Sequence, residues 1–99
     1  MSDDETATSM AWFVAAIRRG YEAERAAGNE HIQAAYIWDH VVAECMKYSR
    51  GFDLMFAWDK RKGKQNRIGT ISDFIRDGKV PGLTLVPGRR GIPEVVQDD

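Results

Sequence analysis

The chain has 99 residues, of which 43% are hydrophobic and 29% charged, and its formal net charge at pH 7 is −1. That length allows one small domain with a modest core. No apolar run approaches the roughly 20 residues that a membrane-spanning helix requires. A single cysteine, Cys45, excludes an internal disulfide framework. The acidic N-terminus does not resemble a signal peptide, so the sequence predicts a cytoplasmic protein.

The small net charge hides a strong asymmetry along the chain. Residues 1–59 contain 5 Lys/Arg and 10 Asp/Glu, a net of −5, whereas residues 60–92 contain 9 Lys/Arg and 2 Asp/Glu, a net of +7. Residues 93–99 add −3. A basic segment on an otherwise acidic chain is typical of a protein that binds a polyanion. The alternative is that it docks on the protein's own acidic half, or keeps a loop solvated.

The first half of the chain predicts two helices. Residues 1–7 are acidic and are expected to form a disordered tail. A first helix, capped by Thr8 or Ser9, then extends to about residue 27, with Gly28 as its C-terminal stop. Its apolar residues recur at helical spacing: Met10, Phe13, Val14, Ile17 and Tyr21.

A second helix is expected to begin at Asn29, a good N-cap, and to end near Arg50-Gly51. Its apolar stripe contains Ala34, Ile37, Trp38, Val41, Cys45 and Tyr48. Because the two residues Gly28-Asn29 would be the whole connection, residues 8–50 are predicted to form an antiparallel helical hairpin.

Residues 52–96 form the basic part of the predicted domain, which spans residues 8–96. A short helix is expected over residues 52–58, followed by the basic run 60–67. A second short helix begins at Thr70, with Asp73 in the position of a capping-box partner, and ends at Gly78. Two short strands, 83–86 and 92–96, are predicted to pair as a hairpin, and residues 97–99 form an acidic tail. The expected fold is therefore mainly α, with an antiparallel two-helix hairpin, two short helices and a small C-terminal β-hairpin or wing.

Residues 74–93 resemble part of a known family. Phe74-Ile75-Arg76-Asp77-Gly78-Lys79-Val80-Pro81-Gly82, followed by Gly88-Arg89-Arg90-Gly91-Ile92-Pro93, is similar to the end of the recognition helix and the wing of small excisionase-type winged helix-turn-helix proteins. The resemblance implies that residues 70–76 would lie in or near the DNA major groove. It also implies that the wing arginines would reach the backbone or the minor groove.

No residue pattern in the sequence indicates catalysis, a cofactor or a metal site. His31 and His40 would lie nine residues apart on the second helix and face nearly opposite sides, so they cannot share a metal ion. His40 and Glu44 form an i, i+4 pair, which is more typical of a surface hydrogen bond than of half a zinc site. Cys45 falls in the apolar stripe and is expected to be a buried small hydrophobic residue. The chain is therefore predicted not to be an enzyme.

Aromatic residues exceed what two helices easily bury. The alternatives are a core built from large side chains and an exposed patch used for dimerisation or for a partner. Trp12 lies off the main stripe of the first helix, and Tyr36 lies near the edge of the stripe of the second. Both are candidates for a contact surface, and a homodimer is expected because a two-helix hairpin buries one face poorly.

Two functional hypotheses follow from the sequence. In the first, the chain is a non-catalytic DNA-binding protein of the excisionase or regulator type. The residues assigned to phosphate contact or to positioning of the short helix and wing are Lys60, Arg61, Lys62, Lys64, Arg67, Arg76, Lys79, Arg89 and Arg90. In the second, the chain is a protein-interaction module, as phages and mobile elements encode, that binds and inhibits a host protein complex.

Overall fold

The structure, a computed structural model, describes residues 10–47 and 67–98. These residues form three helices, α1 (Met10–Ala26), α2 (Ala34–Cys45) and α3 (Arg67–Arg76), and two strands, β1 (Leu83–Val86) and β2 (Glu94–Gln97). A single turn of 3-10 helix, Arg89–Gly91, joins the strands. The predicted fold, mainly helical with a small β-hairpin, is confirmed. The predicted acidic tail 1–7, the cap at Thr8 or Ser9 and the short helix 52–58 lie outside the described residues.

Helices α1 and α2 pack antiparallel and lie close together at Gly20. A Cβ atom on Gly20 would lie 3.1 Å from the Cβ of His40 and 3.2 Å from Cγ2 of Ile37. Arg19, one residue earlier in α1, forms an ion pair with Glu44, near the end of α2. Advancing along one helix therefore means moving backwards along the other. Glycine, which weakens an isolated helix, lets the two backbones come this close.

The connection between the helices is longer than the sequence predicted. Helix α2 begins at Ala34, after Gln33 as its N-cap, and ends at Cys45. The expected start at Asn29 is wrong because the Asn29 side chain has two other partners. Its Nδ2 donates to Glu24 Oε1 at 2.8 Å, and its Oδ1 accepts the backbone N–H of His31 at 3.1 Å. Asn29 thus closes α1 and the turn after it instead of capping α2.

Glycine ends both α1 and α3, as the sequence predicted. Gly28 and Gly78 have φ values of 89° and 76°, which favour a residue without a Cβ atom. After α3, the Gly78 N–H donates to the Ile75 carbonyl and the Lys79 N–H to the Phe74 carbonyl. This hydrogen-bonding pattern is the Schellman motif, which satisfies the last carbonyl groups of a helix. The predicted start at Thr70 is wrong, because α3 already begins at Arg67.

One hydrophobic core joins residues 10–47 to residues 67–98. The predicted stripes of α1, α2 and α3 supply most of it, and Phe13 of α1 meets Phe74 of α3 edge to face, with ring centroids 5.1 Å apart. The buried apolar residues are Trp12, Phe13, Ala16, Ile17, Tyr21, Ile32, Ala34, Ile37, Val41, Cys45, Ile71, Phe74, Ile75, Val80, Leu83 and Val95. The β-hairpin is therefore fixed to the helices through side chains of α3, β1 and β2.

Strands β1 and β2 pair antiparallel, with Leu83 opposite Gln97 and Val86 opposite Glu94. The first strand has the predicted bounds, whereas the second begins two residues later than predicted. Strand β2 also bonds outside the hairpin, since the Val95 N–H donates to the Ile32 carbonyl at 2.7 Å. This bond attaches the hairpin to the segment that precedes α2.

Substitution of Gly20 tests the close approach of α1 and α2. Gly20→Leu should lower the free energy of unfolding by about 2–3 kcal/mol, because the larger side chain forces the helices apart. Ala23→Leu, at an exposed position of the same helix, should change it by less than about 0.5 kcal/mol. Urea unfolding followed by circular dichroism measures both. Equal stability of the two variants would contradict the close packing.

Candidate functional site

The turn between the strands, residues 87–93 and here called the hairpin tip, presents two arginines to solvent. Arg89 and Arg90 are exposed, and Ile92 beside them is 43% exposed. The hairpin tip contains no acidic residue. Its composition therefore makes it a small basic projection at one end of the two-stranded sheet.

Arg90 has a backbone conformation that is unusual for its residue type. Its φ of 59° lies in the left-handed region, and among the described residues it is the only one other than glycine with a positive φ. Such a conformation costs an arginine on the order of 1 kcal/mol. The Arg90 side chain is exposed at this position.

The buried carboxylate of Glu94 contacts this turn. Glu94 is only 8% exposed, although it follows directly after the tip. Its Oε1 lies 3.1 Å from Nδ1 of His31, and its Oε2 accepts the backbone N–H of Arg89 over 3.5 Å. One side chain thus connects the hairpin tip with the loop that precedes α2. The sequence prediction assigned no role to Glu94, because its partner His31 lies 63 positions earlier in the chain.

These partners lower the pKa of Glu94 below its usual range. The largest cause is the hydrogen bond from His31, and the Arg89 N–H together with the charges of His31 and Arg89 acts in the same direction. Desolvation opposes the shift but does not outweigh it. The ionised form is therefore the one that the folded protein stabilises.

Gly88 leaves the space that Glu94 occupies. A Cβ atom on Gly88 would lie 2.7 Å from Cγ of Glu94 and would collide with the carbonyl oxygen of Ile92. Any other residue would displace either the backbone of the tip or the carboxylate beneath it.

The structure brings some of the predicted basic residues together but not all of them. Arg89 and Arg90 share the hairpin tip, whereas Arg76 and Lys79 lie at and just after the end of α3. Arg67 opens α3, and its side chain lies outside what the structure describes. The same holds for the whole of the basic run that contains Lys60, Arg61, Lys62 and Lys64.

Helix α3 uses most of its described side chains for the core. Ile71, Phe74 and Ile75 are buried, as predicted, and Thr70 is buried with them. On the outer side, Arg76 Nη1 lies 2.8 Å from Oδ1 of Asp73. This exposed pair offsets the charge of Arg76, so the described outer face of α3 is less basic than the sequence suggested.

The two candidates for a contact surface have different environments. Trp12 is only 5% exposed, so the expectation that it forms an exposed patch is wrong. Its indole belongs to the same core cluster as Phe13, because the buried face of α1 is wider than its predicted stripe. Tyr36 is 39% exposed and remains available for contact.

The histidines also differ from their predicted positions. His31 lies in the loop before α2, and His40 Nε2 lies 2.6 Å from Oε2 of Glu24 on α1. The predicted pairing of His40 with Glu44 is wrong, since Glu44 pairs with Arg19 instead. Within residues 10–47 and 67–98, no three His, Cys, Asp or Glu side chains form a group that could hold a metal ion.

Cys45 is buried, as predicted. Desolvation by its apolar surroundings raises the pKa of its thiol, and the charge of Glu44 adds to the effect. A raised pKa disfavours the nucleophilic thiolate. The side chain therefore serves as a small core residue.

An apolar groove lies between α1 and the segment that follows α3. Its floor is formed by Ala11, Val14 and Ala15 of α1 together with Phe74 and Pro81, and it is a shallow depression, open to solvent, with a volume of about 690 Å³. Arg18 and Lys79 also line it. We call this surface the α1–α3 groove. The sequence prediction missed it because it assigned Val14 to the core stripe, whereas the side chain is half-buried at the edge of the core.

Comparison with known proteins places the chain in no family. No family model, no curated protein and no solved structure matches it. Among the helices of the described residues, none is both long enough and apolar enough to cross a membrane.

Replacement of Glu94 should change how stability depends on pH. Because folding lowers the pKa of Glu94, its stabilising contribution is present above the usual glutamate pKa of about 4.3 and is lost as the pH falls through the lowered value. Glu94→Gln should therefore be less stable than the parent at pH 7, and the difference should shrink as the pH falls below about 4. Urea unfolding at a series of pH values measures it. Glu30→Gln, at an exposed position, is the control, and a difference that does not vary with pH would contradict the role of the carboxylate.

Gly88→Ala should destabilise the hairpin tip. The added methyl group meets the Ile92 carbonyl and the Glu94 side chain, so we expect a loss of about 2 kcal/mol or more in the free energy of unfolding. Gly91→Ala is the matched control, because a Cβ there has open space but a φ of 74°, and it should cost about 1 kcal/mol. Thermal unfolding would rank the two. A Gly88 variant no less stable than the Gly91 variant would show that the tip is not closely packed.

Proposed function

We propose that this chain is a small, non-catalytic, cytoplasmic DNA-binding protein that contacts the phosphate backbone through its basic C-terminal half. The observation that carries the proposal is the hairpin tip, where two exposed arginines stand on a turn held by Glu94 and Gly88. An arginine guanidinium pairs with phosphate through two parallel hydrogen bonds, and fixing the backbone beneath it reduces the entropy lost on binding.

The surroundings of the tip favour a polyanion over a neutral partner. Arg89 and Arg90 are adjacent, and the hairpin tip has no acidic residue to offset them. The one nearby carboxylate, Glu94, interacts with Arg89 but is also shared with His31. Two neighbouring cations beside a single, shared carboxylate leave a local positive potential, which attracts phosphate groups.

Backbone contact, with little base reading, is the mode that the described residues support. Phosphate contacts fix position and orientation but carry no sequence information directly. On the described outer face of α3, Arg76 is paired with Asp73, which leaves the hairpin tip and the run 60–67 as the main sources of positive charge. We therefore expect affinity that depends strongly on salt and weakly on sequence.

Arginine substitutions at the tip test the proposal. Arg90→Asn removes a charge yet suits the left-handed backbone at this position, since asparagine tolerates a positive φ. Arg89→Gln removes the neighbouring charge. Each variant should bind duplex DNA about 3–10-fold more weakly at low salt, and each should reduce the slope of log affinity against log salt by about one. Fluorescence anisotropy with a labelled duplex measures both quantities.

Lys47→Gln is the control, because Lys47 is exposed and follows the end of α2 that is remote from the loop to which the hairpin is attached. It removes one positive charge and should bind DNA as the parent does. Thermal unfolding confirms that each variant is folded. Failure of the parent chain to bind any DNA at low salt, or equal weakening by the Lys47 variant, would overturn the proposal.

A further inference from the structure

The α1–α3 groove is a second surface with its own chemistry. Small or flat apolar groups form its floor, among them Ala11 and Ala15, one helical turn apart on α1, and Pro81. Phe74, which also lines the groove, is 6% exposed and belongs to the core. One part of the lining is therefore fixed by core packing.

The charged residues that line the groove are both cationic. Arg18 Nη1 donates to the Pro81 carbonyl at 2.7 Å, which fixes the guanidinium beside the floor without neutralising it. The Lys79 Nζ lies 4.9 Å from the centroid of the Phe74 ring. Within the described part of the chain, no carboxylate lies within ion-pair distance of either group. An occupant that carries a carboxylate beside its apolar side chains would therefore complement the groove.

We propose that the α1–α3 groove binds an amphipathic helical segment of a partner protein, whose apolar side chains enter the groove and whose acidic residue pairs with Arg18 or Lys79. Amphipathic helices dock in apolar grooves in this way through residues one turn apart. The open volume of about 690 Å³ has room for two or three apolar side chains. The proposal fits the second sequence hypothesis, a protein-interaction module, and does not depend on DNA binding.

Size and composition separate this occupant from the alternatives. A stable dimer buries roughly 800 Å² on each partner, far more than a floor of five small or partly covered side chains offers. A nucleic acid gains little from an apolar floor, because its phosphates need cations and water instead. A short helix with an acidic edge can pack its apolar side chains on the floor and pair its carboxylate with Arg18 or Lys79.

Selection from a display library of random peptides, each long enough for about three helical turns, tests the proposal on the full chain. The enriched peptides should carry apolar residues at helical spacing and an Asp or Glu at one edge. They should bind Ala15→Glu at least about tenfold more weakly, because the new carboxylate fills the groove and pairs with the nearby cations. Ala23→Glu places the same charge at an exposed site on the same helix and should bind as the parent does.

Lys79→Gln is a second variant that leaves the floor intact. It should lower the affinity for the acidic peptides by about threefold and leave unchanged the affinity for analogues with Gln in place of the acid. Thermal unfolding and circular dichroism verify the fold of each variant. The proposal is overturned if no peptide is enriched, if the enriched peptides lack an acidic residue, or if they bind Ala15→Glu normally. NMR signals of Val14 and Ala15 that shift when only the protein concentration is raised would identify a second copy of the chain as the occupant. That result would also overturn the proposal.

Discussion

The attachment of the β-hairpin to the loop before α2 combines a backbone hydrogen bond, Val95 N–H to the Ile32 carbonyl, with one buried carboxylate, Glu94. Glu94 is largely removed from solvent, and His31 and the Arg89 N–H supply hydrogen bonds to its carboxylate, since a charge that leaves water needs polar partners. The Val95 bond to the Ile32 carbonyl lies next to it and reinforces the same attachment. Together these contacts join the end of the chain to the loop before α2, so the orientation of the tip follows from the packing of the helices.

The same packing separates two surfaces of different character. Helix α3 buries Phe74 against Phe13 of α1, which leaves the apolar groove on one side of that contact. The hairpin that follows α3 carries its exposed arginines at the turn. Lys79 ends the Schellman motif of α3 and also lines the groove, so the residue that closes the helix also contributes charge to the groove. A chain of 99 residues thereby displays an apolar surface and a basic one.

Local patterns predicted the elements that local physics controls. The glycine stops at Gly28 and Gly78, the bounds of β1 and most of the described part of the apolar stripes were confirmed, because a positive φ and side-chain periodicity are properties of a few consecutive residues. The start of α2 was wrong because Asn29 can cap either helix, and the choice depends on whether Glu24 is close enough to bind its amide. Trp12 was misplaced because the width of the buried face depends on what packs against α1.

By itself, the sequence determined the secondary structure of most described segments, the class of fold and the two arginines of the hairpin tip. Tertiary structure alone decided which carboxylate supports that tip, which histidine faces it and where the apolar groove opens. The reason is sequence distance, since His31 and Glu94 are 63 residues apart, and no local pattern records that their side chains meet. Charge depends on tertiary structure in the same way, because an arginine such as Arg76 or Arg19 contributes less to a surface once folding places a carboxylate beside it.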